Sequence, residues 1–144
     1  MDINIKRIDT SLPLPEYQTP GSVAFDMYTR KTIHIAPKSL ELLPSNLIIK
    51  TPEKYGLIIS ARSSLAKKKG LILANGIGVI DKDYSGNTDE ILLSVYNFTD
   101  DEVIVEKGER IAQGMFVRID QGNWNEVSHM DDESRGGFGS TGSF

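Results

Sequence analysis

Three groups of residues in this sequence have the types and spacing to do chemistry. The densest is Ala74-Asn75-Gly76-Ile77-Gly78-Val79-Ile80-Asp81-Lys82-Asp83-Tyr84-Ser85-Gly86. Its glycines allow a sharp turn or a close approach of backbone to a ligand. On an extended segment Asp81 and Asp83 face one side. That arrangement suits a proton-accepting carboxylate, and equally the solvated acidic tip of a hairpin. The second group is Ala61-Arg62-Ser63-Ser64-Leu65-Ala66, directly after the apolar run Leu57-Ile58-Ile59. An arginine, two hydroxyls and free N–H groups at a strand-to-turn junction can cradle phosphate oxygens, although Arg-Ser-Ser alone is common. The third is Ser134 to Phe144, which sets an arginine, an aromatic ring and a Ser-Thr pair among four glycines. No Gly-Lys-Ser/Thr follows, which excludes a Walker-type phosphate loop. A flexible flap remains, with Phe138 stacking on a ligand and Arg135, Ser140 and Thr141 on its phosphates.

Other readings of these segments are weaker. Asp81-x-Asp83-x-Ser85-Gly86-x-x-Asp89 follows the first nine positions of an EF-hand calcium loop. The twelfth position, which needs a bidentate glutamate, is Leu92, and the flanks read as strands. Lys67-Lys68-Lys69 is best read as a solvated face. Gly108-Glu109-Arg110-Ile111-Ala112-Gln113 reads as a turn opening a late strand.

The elements that must position these groups are short. Ile3/Ile5 and Ile33/Ile35 alternate with polar residues, and Val103-Ile104-Val105 lies between glutamates. Leu47 to Ile49, Leu57 to Ile59, Leu71 to Leu73 and Ile91 to Tyr96 are β-prone apolar runs. Gly and Pro punctuate them throughout, so the chain is expected to be all-β, a sandwich, jelly roll or barrel. The one helical signal is Ser63 to Lys69, with Ser63 or Ser64 as cap and Gly70 as stop. At 144 residues the chain makes one domain. The expected division is a body over 1–133 and a flexible Gly-rich flap over 134–144.

Composition removes several classes of function. There are no cysteines and two histidines, His34 and His129, so thiolate metal sites, disulfides and a cysteine nucleophile are excluded. A net charge of −4 argues against direct nucleic-acid binding. With no leader-like start and no apolar run near membrane length, a cytoplasmic protein is expected, in the host cell interior if viral.

In order, five segments resemble the five motifs of the trimeric deoxyuridine triphosphatases (dUTPases): Gly21 to Tyr28, Ala61 to Ala66, Gly78 to Gly86, Gly108 to Phe116 and Arg135 to Gly142. The resemblance implies a jelly-roll-like distorted β-barrel, assembled as a homotrimer whose active sites are shared between chains. It implies Mg2+-dependent hydrolysis of dUTP to dUMP and pyrophosphate, which limits uracil in DNA and supplies dUMP for dTMP synthesis. By the same resemblance Asp81 activates the water that attacks the α-phosphorus. Asn75, Val79 and Ile80 line the uracil slot, and Tyr84 packs under the deoxyribose. Arg62, Ser63, Ser64 and Gln113 hold phosphates, and Asp26 holds a water of the Mg2+ shell. Arg135 with Ser140 or Thr141 takes the γ-phosphate, and Phe138 covers the base; Asp83, outside the resemblance, reads as a structural brace of the hairpin. Two other readings share the fold: a dCTP deaminase-like enzyme and a non-catalytic nucleotide-binding trimer.

Three departures from the family pattern stand out. Tyr84 to Asn97 is thirteen residues where about ten are usual, which places an insertion near Asn87-Thr88-Asp89. Arg135 lies three residues before Phe138 instead of five. Gly114 occupies a position usually apolar, which suggests a bulge or a tight space on the trimer axis.

Overall fold

Short apolar runs punctuated by Gly and Pro cannot support long helices, and the computed structural model, which describes residues 1–143, is built almost wholly of strands. These are β1 (Asn4–Arg7), β2 (Phe25–Tyr28), β3 (Ile33–Ile35), β4 (Leu40–Pro44), β5 (Leu47–Lys50), β6 (Tyr55–Ala61), β7 (Leu71–Leu73), β8 (Gly78–Ile80), β9 (Leu92–Asn97), β10 (Val103–Val105) and β11 (Arg110–Arg118). A single short helix, α1 (Leu65–Lys69), separates β6 from β7. Every strand pairing is antiparallel.

The strands form four open sheets, ordered β1-β5, β10-β3, β2-β11-β6-β8 and β4-β9-β7. The architecture is all-β and jelly-roll-like, and hydrogen bonding does not run continuously around it. One core holds the sheets together, with Met27, Ile35, Leu43, Leu57, Leu93 and Ile111 among its fully buried side chains. The two-residue period is clearest in β9, where Leu93, Val95 and Asn97 point inward. Asn97 is the polar exception, and it is saturated. Its Nδ2 donates to the carbonyls of Ile35, Ala36 and Asp101 at 2.8–3.1 Å, and its Oδ1 accepts from the Thr99 N–H and hydroxyl. A buried amide satisfied on both sides fixes this corner instead of destabilising it.

Two expectations change on contact with the structure. Ser64 stands at the N-cap of α1 but its side chain makes no capping bond; the helix is stopped by Gly70, in the left-handed region at φ 68° with its N–H on the Ala66 carbonyl. Gly114 is not a bulge: the irregularity in β11 lies between Arg110 and Ala112. Gly114 pairs with Phe25, and a Cβ there would sit 2.6 Å from the Phe25 ring. The glycine is a seat for that ring, within one chain.

After β11 the chain leaves the body. Every residue from Arg118 to Ser143 is exposed. Among the described residues no hydrogen bond ties 120–143 to the rest. The last hydrogen bond to the body is from the Ile119 N–H to the Lys54 carbonyl at 3.0 Å, and residues 119–121 still line a groove with Lys54, Tyr55 and Asp81. Trp124 is 99 % exposed and Phe138 completely so. No helix among the described residues is long and apolar enough to cross a membrane.

Two ion pairs link the edges of the body. Lys107 Nζ lies 2.6 Å from Asp9 Oδ2, and Arg30 forms a two-pronged pair with Glu90 at 2.9 Å. The Lys107 contact, with help from Ser11, holds the Asp9 carboxyl well below its ordinary value. Burial alone would raise Glu90, but the Arg30 fork and the Asn46 N–H outweigh it and the net shift is downward. A carboxyl with a depressed folded value contributes stability above its unfolded value and loses it as pH falls through the folded one. Melting temperature is therefore expected to hold near neutrality and to drop as pH falls below about 4. Arg30→Met should shrink that drop; a pH–melting curve unchanged by the substitution would contradict this account.

Candidate active site

The site residues fall into two clusters, one at each end of β6. Asp26, Arg62, Arg110 and Gln113 make the first. Pairing of β2, β11 and β6 sets Gln113 opposite both Asp26 and Ser60. Asp26 is buried and shared by two guanidinium groups: Arg62 Nε lies 3.0 Å from Oδ1 and Arg110 Nη1 lies 3.1 Å from Oδ2. Gln113 Nε2 donates to the Ala61 carbonyl at 3.1 Å. These contacts stiffen a cleft of about 450 Å3 lined by Arg62, Ser64, Lys68 and Arg110. Ser63 is exposed beside it. Two fixed arginines and two serine hydroxyls suit a chain of phosphates. Of the three lysines of α1, Lys69 is structural, bound to Glu109 at 2.9 Å and to the Ile104 carbonyl at 2.8 Å.

The second cluster surrounds β8. This strand is the edge of its sheet, paired with β6 through Ile80–Leu57, Val79–Ile58 and Gly78–Ile59. Its other row of backbone groups has no strand partner. An antiparallel edge presents the N–H and C=O of one residue side by side. Beside the strand lies a slot of about 110 Å3 whose lining includes Asn75, Gly78, Val79, Leu92 and Ser94. Asp81 and Tyr84 follow immediately, joined by a turn in which the Tyr84 N–H donates to the Asp81 carbonyl at 3.2 Å. Both are exposed, and the Tyr84 hydroxyl is held at 3.0 Å by the Glu90 carbonyl.

The extended segment expected over Asp81 to Asp83 is a turn instead, because β8 ends at Ile80. Asp83 does not brace it: among the described residues it has no hydrogen bond or ion pair. Lys82, paired with Glu53, and the Tyr84–Glu90 contact do the bracing. Asp89 accepts the Gly86 N–H at 2.6 Å and closes its own loop. Two contributors were missed from the sequence. Arg110 looked like half of a surface charge pair; its only signal was the charge beside Gly108. Glu90 carried no signal at all.

Register separates the clusters. Ile80 lies opposite Leu57, so Asp81 falls level with Gly56, while Arg62 follows Ala61 at the far end of β6. From 56 to 62 is six steps, or about 20 Å along the strand. Arg135, Phe138, Ser140 and Thr141 lie on the exposed extension and contact neither cluster of their own chain.

A sequence model of the dUTPase family matches residues 10–142. The chain belongs to the dUTPase family. It is 37% identical to the deoxyuridine 5'-triphosphate nucleotidohydrolase of Lactococcus lactis, over 98% of this chain and 95% of that one. It is 40% identical to the enzyme of the same name from Desulfitobacterium hafniense, over 94% and 91%. Among solved structures it resembles the dUTPase of Streptococcus mutans, with a TM-score of 0.77 at 30% identity over 83% of this chain and 98% of that one. The fold also matches the dUTPase of Staphylococcus bacteriophage 80alpha crystallised with dUpNHpp, with a TM-score of 0.85 at 22% identity over 98% of both chains.

Among the described residues no three acidic or histidine side chains converge to chelate a cation. Mg2+ keeps most of its waters and binds through substrate phosphates with one or two carboxylates. The dUTPase cluster at Asp26 fits that role from outside the inner shell. Each oxygen already accepts from an arginine and retains a second lone pair for a metal-bound water.

Proposed function

We propose that this protein hydrolyses dUTP to dUMP and pyrophosphate, as a homotrimer whose sites combine the β8 cluster of one copy with the phosphate cluster of a second and the extension of a third. The observation that carries this reading is the free edge of β8 beside a slot lined by Asn75, Gly78 and Ser94, with Asp81 and Tyr84 following directly along the chain. The distance along β6 supports the sharing. A water held by Asp81 cannot reach a phosphate held by Arg62 of the same chain. The outer face of the β4-β9-β7 sheet, with Leu40, Tyr96 and Ile72 level in one row, is apolar and adjoins the slot. Such a face suits burial against another copy.

The chemistry follows from the two clusters. A uracil ring presents an acceptor at O4 beside a donor at N3, and the β8 edge offers an N–H beside a C=O. Cytosine reverses both groups and leaves the edge unpaired, a strong basis for rejection. Asn75 closes the slot, and the Tyr84 ring lies under the sugar where a 2′-hydroxyl would collide with it. Asp81 orients the attacking water and takes its proton as the water oxygen closes on the α-phosphorus. Arg62 neutralises charge on the departing pyrophosphate, and the hydroxyls of Ser63 and Ser64 donate hydrogen bonds to the phosphates, with Gln113 adding a contact. Asp26 holds Arg62 in position and would accept a hydrogen bond from a water of the Mg2+ shell. When bound, the ion supplies charge neutralisation on the phosphates. Phe138 covers the base, and Arg135 with Ser140 or Thr141 reaches the γ-phosphate.

The test is pyrophosphate release from dUTP, UTP, dCTP and dTTP, with and without Mg2+. Rapid release from dUTP alone is expected; equal release from dCTP or UTP would overturn the assignment. Tyr84→Ala is expected to reduce the preference for dUTP over UTP by about 10- to 100-fold, since one steric wall is worth roughly 1–3 kcal/mol of discrimination. An unchanged ratio would remove Tyr84 from sugar selection.

A further inference from the structure

Glu90, in the longer segment that follows Tyr84, is held from several sides at once. Its main-chain oxygen accepts the Tyr84 hydroxyl at 3.0 Å. Its carboxylate takes both prongs of Arg30, Nε on Oε1 and Nη2 on Oε2, each at 2.9 Å. Oε1 also accepts the Asn46 N–H at 2.9 Å. Asn46 is buried, and its amide is tied both ways to the Asp9 main chain. The Arg30 N–H is fixed on the Pro44 carbonyl at 2.8 Å, and Ile91, fully buried, pairs with Leu47 and Ser45. Apart from this fork the loop is held by local turns, from the Gly86 N–H to Asp89 and from the Glu90 N–H to the Thr88 carbonyl, and by one exposed contact in which Lys6 Nζ donates to the Asn87 carbonyl at 3.2 Å. Arg30 and Glu90 side chains are 22% and 14% exposed, so the pair is mostly shielded from water. A two-pronged guanidinium–carboxylate contact fixes direction as well as distance.

We propose that Arg30 and Glu90 are positioning residues for sugar selection: their ion pair fixes the loop carbonyl that holds the Tyr84 hydroxyl, and so sets the height of the Tyr84 ring under the deoxyribose. This rests on the dUTP reading above. Rejecting a single added hydroxyl by contact requires a wall that does not retreat. A tyrosine tied only at its main chain can tilt about its side-chain bonds and make room. Anchoring the far end of the ring removes that escape, and the anchor is only as firm as the carbonyl it grips.

The experiment measures kcat/KM for dUTP and for UTP and takes their ratio. Tyr84→Phe keeps the ring and removes only its anchor; it is expected to lower the ratio about tenfold. Arg30→Met and Glu90→Gln should lower it in the same sense and to a similar extent, with Arg30→Lys in between. The double variant Arg30→Met/Tyr84→Phe should fall no further than the larger single change, because all act through one contact. A merely structural role would reduce both substrates together and leave the ratio alone. Should Arg30→Met not fold, Tyr84→Phe and Glu90→Gln carry the comparison. A wild-type protein without preference for dUTP overturns both this inference and the functional reading. A wild-type preference that survives Tyr84→Phe or Glu90→Gln overturns this inference alone, as do single effects that multiply.

Discussion

Asp81→Asn is expected to lower kcat for dUTP by about a thousandfold, within the range a positioned general base contributes, while a non-hydrolysable dUTP analogue still binds. Asparagine fills the same space and keeps a hydrogen bond to water, but it cannot accept the proton. Near-wild-type turnover would remove Asp81 from the reaction. The same variant tests whether sites are shared. Arg62→Ala should also be nearly inactive, because it removes a phosphate ligand and leaves the buried Asp26 carboxylate with Arg110 alone. Mixed trimers of the two variants restore one intact site of three, pairing Asp81 of one copy with Arg62 of its neighbour. Random assembly from equal amounts should therefore recover about a quarter of wild-type activity, by the counting that cyclic symmetry imposes. No recovery on mixing would place the whole site within one chain.

Deleting residues 135–144 is the second large effect. A loss of about a hundredfold or more in kcat/KM is expected, because closure over a ligand excludes water and completes the phosphate contacts. Sedimentation should show an unchanged oligomer and the melting temperature should stay within a degree or two, since the described part of this segment makes no hydrogen bond to its own body. Unchanged kinetics would show that the extension is idle. A dissociated oligomer would give it a structural role instead. The short spacing from Arg135 to Phe138 makes a point variant informative here: Arg135→Ala should reproduce part of the loss if the arginine still meets a phosphate, and unchanged kinetics would remove that contact.

Much of this was legible in the residues. Alternation in Ile3/Ile5, Ile33/Ile35 and the run to Tyr96 marks β1, β3 and β9, and Gly70 marks the end of α1. The order of the five segments pointed to the family. Other features depend on what comes together only when the chain folds. Strand β4 is hidden because Leu40-Glu41-Leu42-Leu43-Pro44 has little alternation and ends in proline; pairing with β9 makes it a strand. Arg110 becomes a clamp only because β11 lies beside β2. Arg30 and Glu90 are sixty residues apart, so no local pattern reveals their contact. Gly114 appeared to be an irregularity because its reason, the Phe25 ring, lies on another strand. The separation of Asp81 from Arg62 is likewise a matter of register, and sequence spacing does not encode it.

The brevity of β8 has a consequence beyond nucleotide recognition. Its bare margin is only three residues long, and a foreign polypeptide trying to dock there gains few main-chain bonds before reaching the turn at Asp81. Longer unprotected margins invite neighbouring molecules to stack strand upon strand. A margin cut to this length offers few main-chain groups to a second strand, so the edge to which the proposal assigns the nucleotide also guards the protein against aggregation.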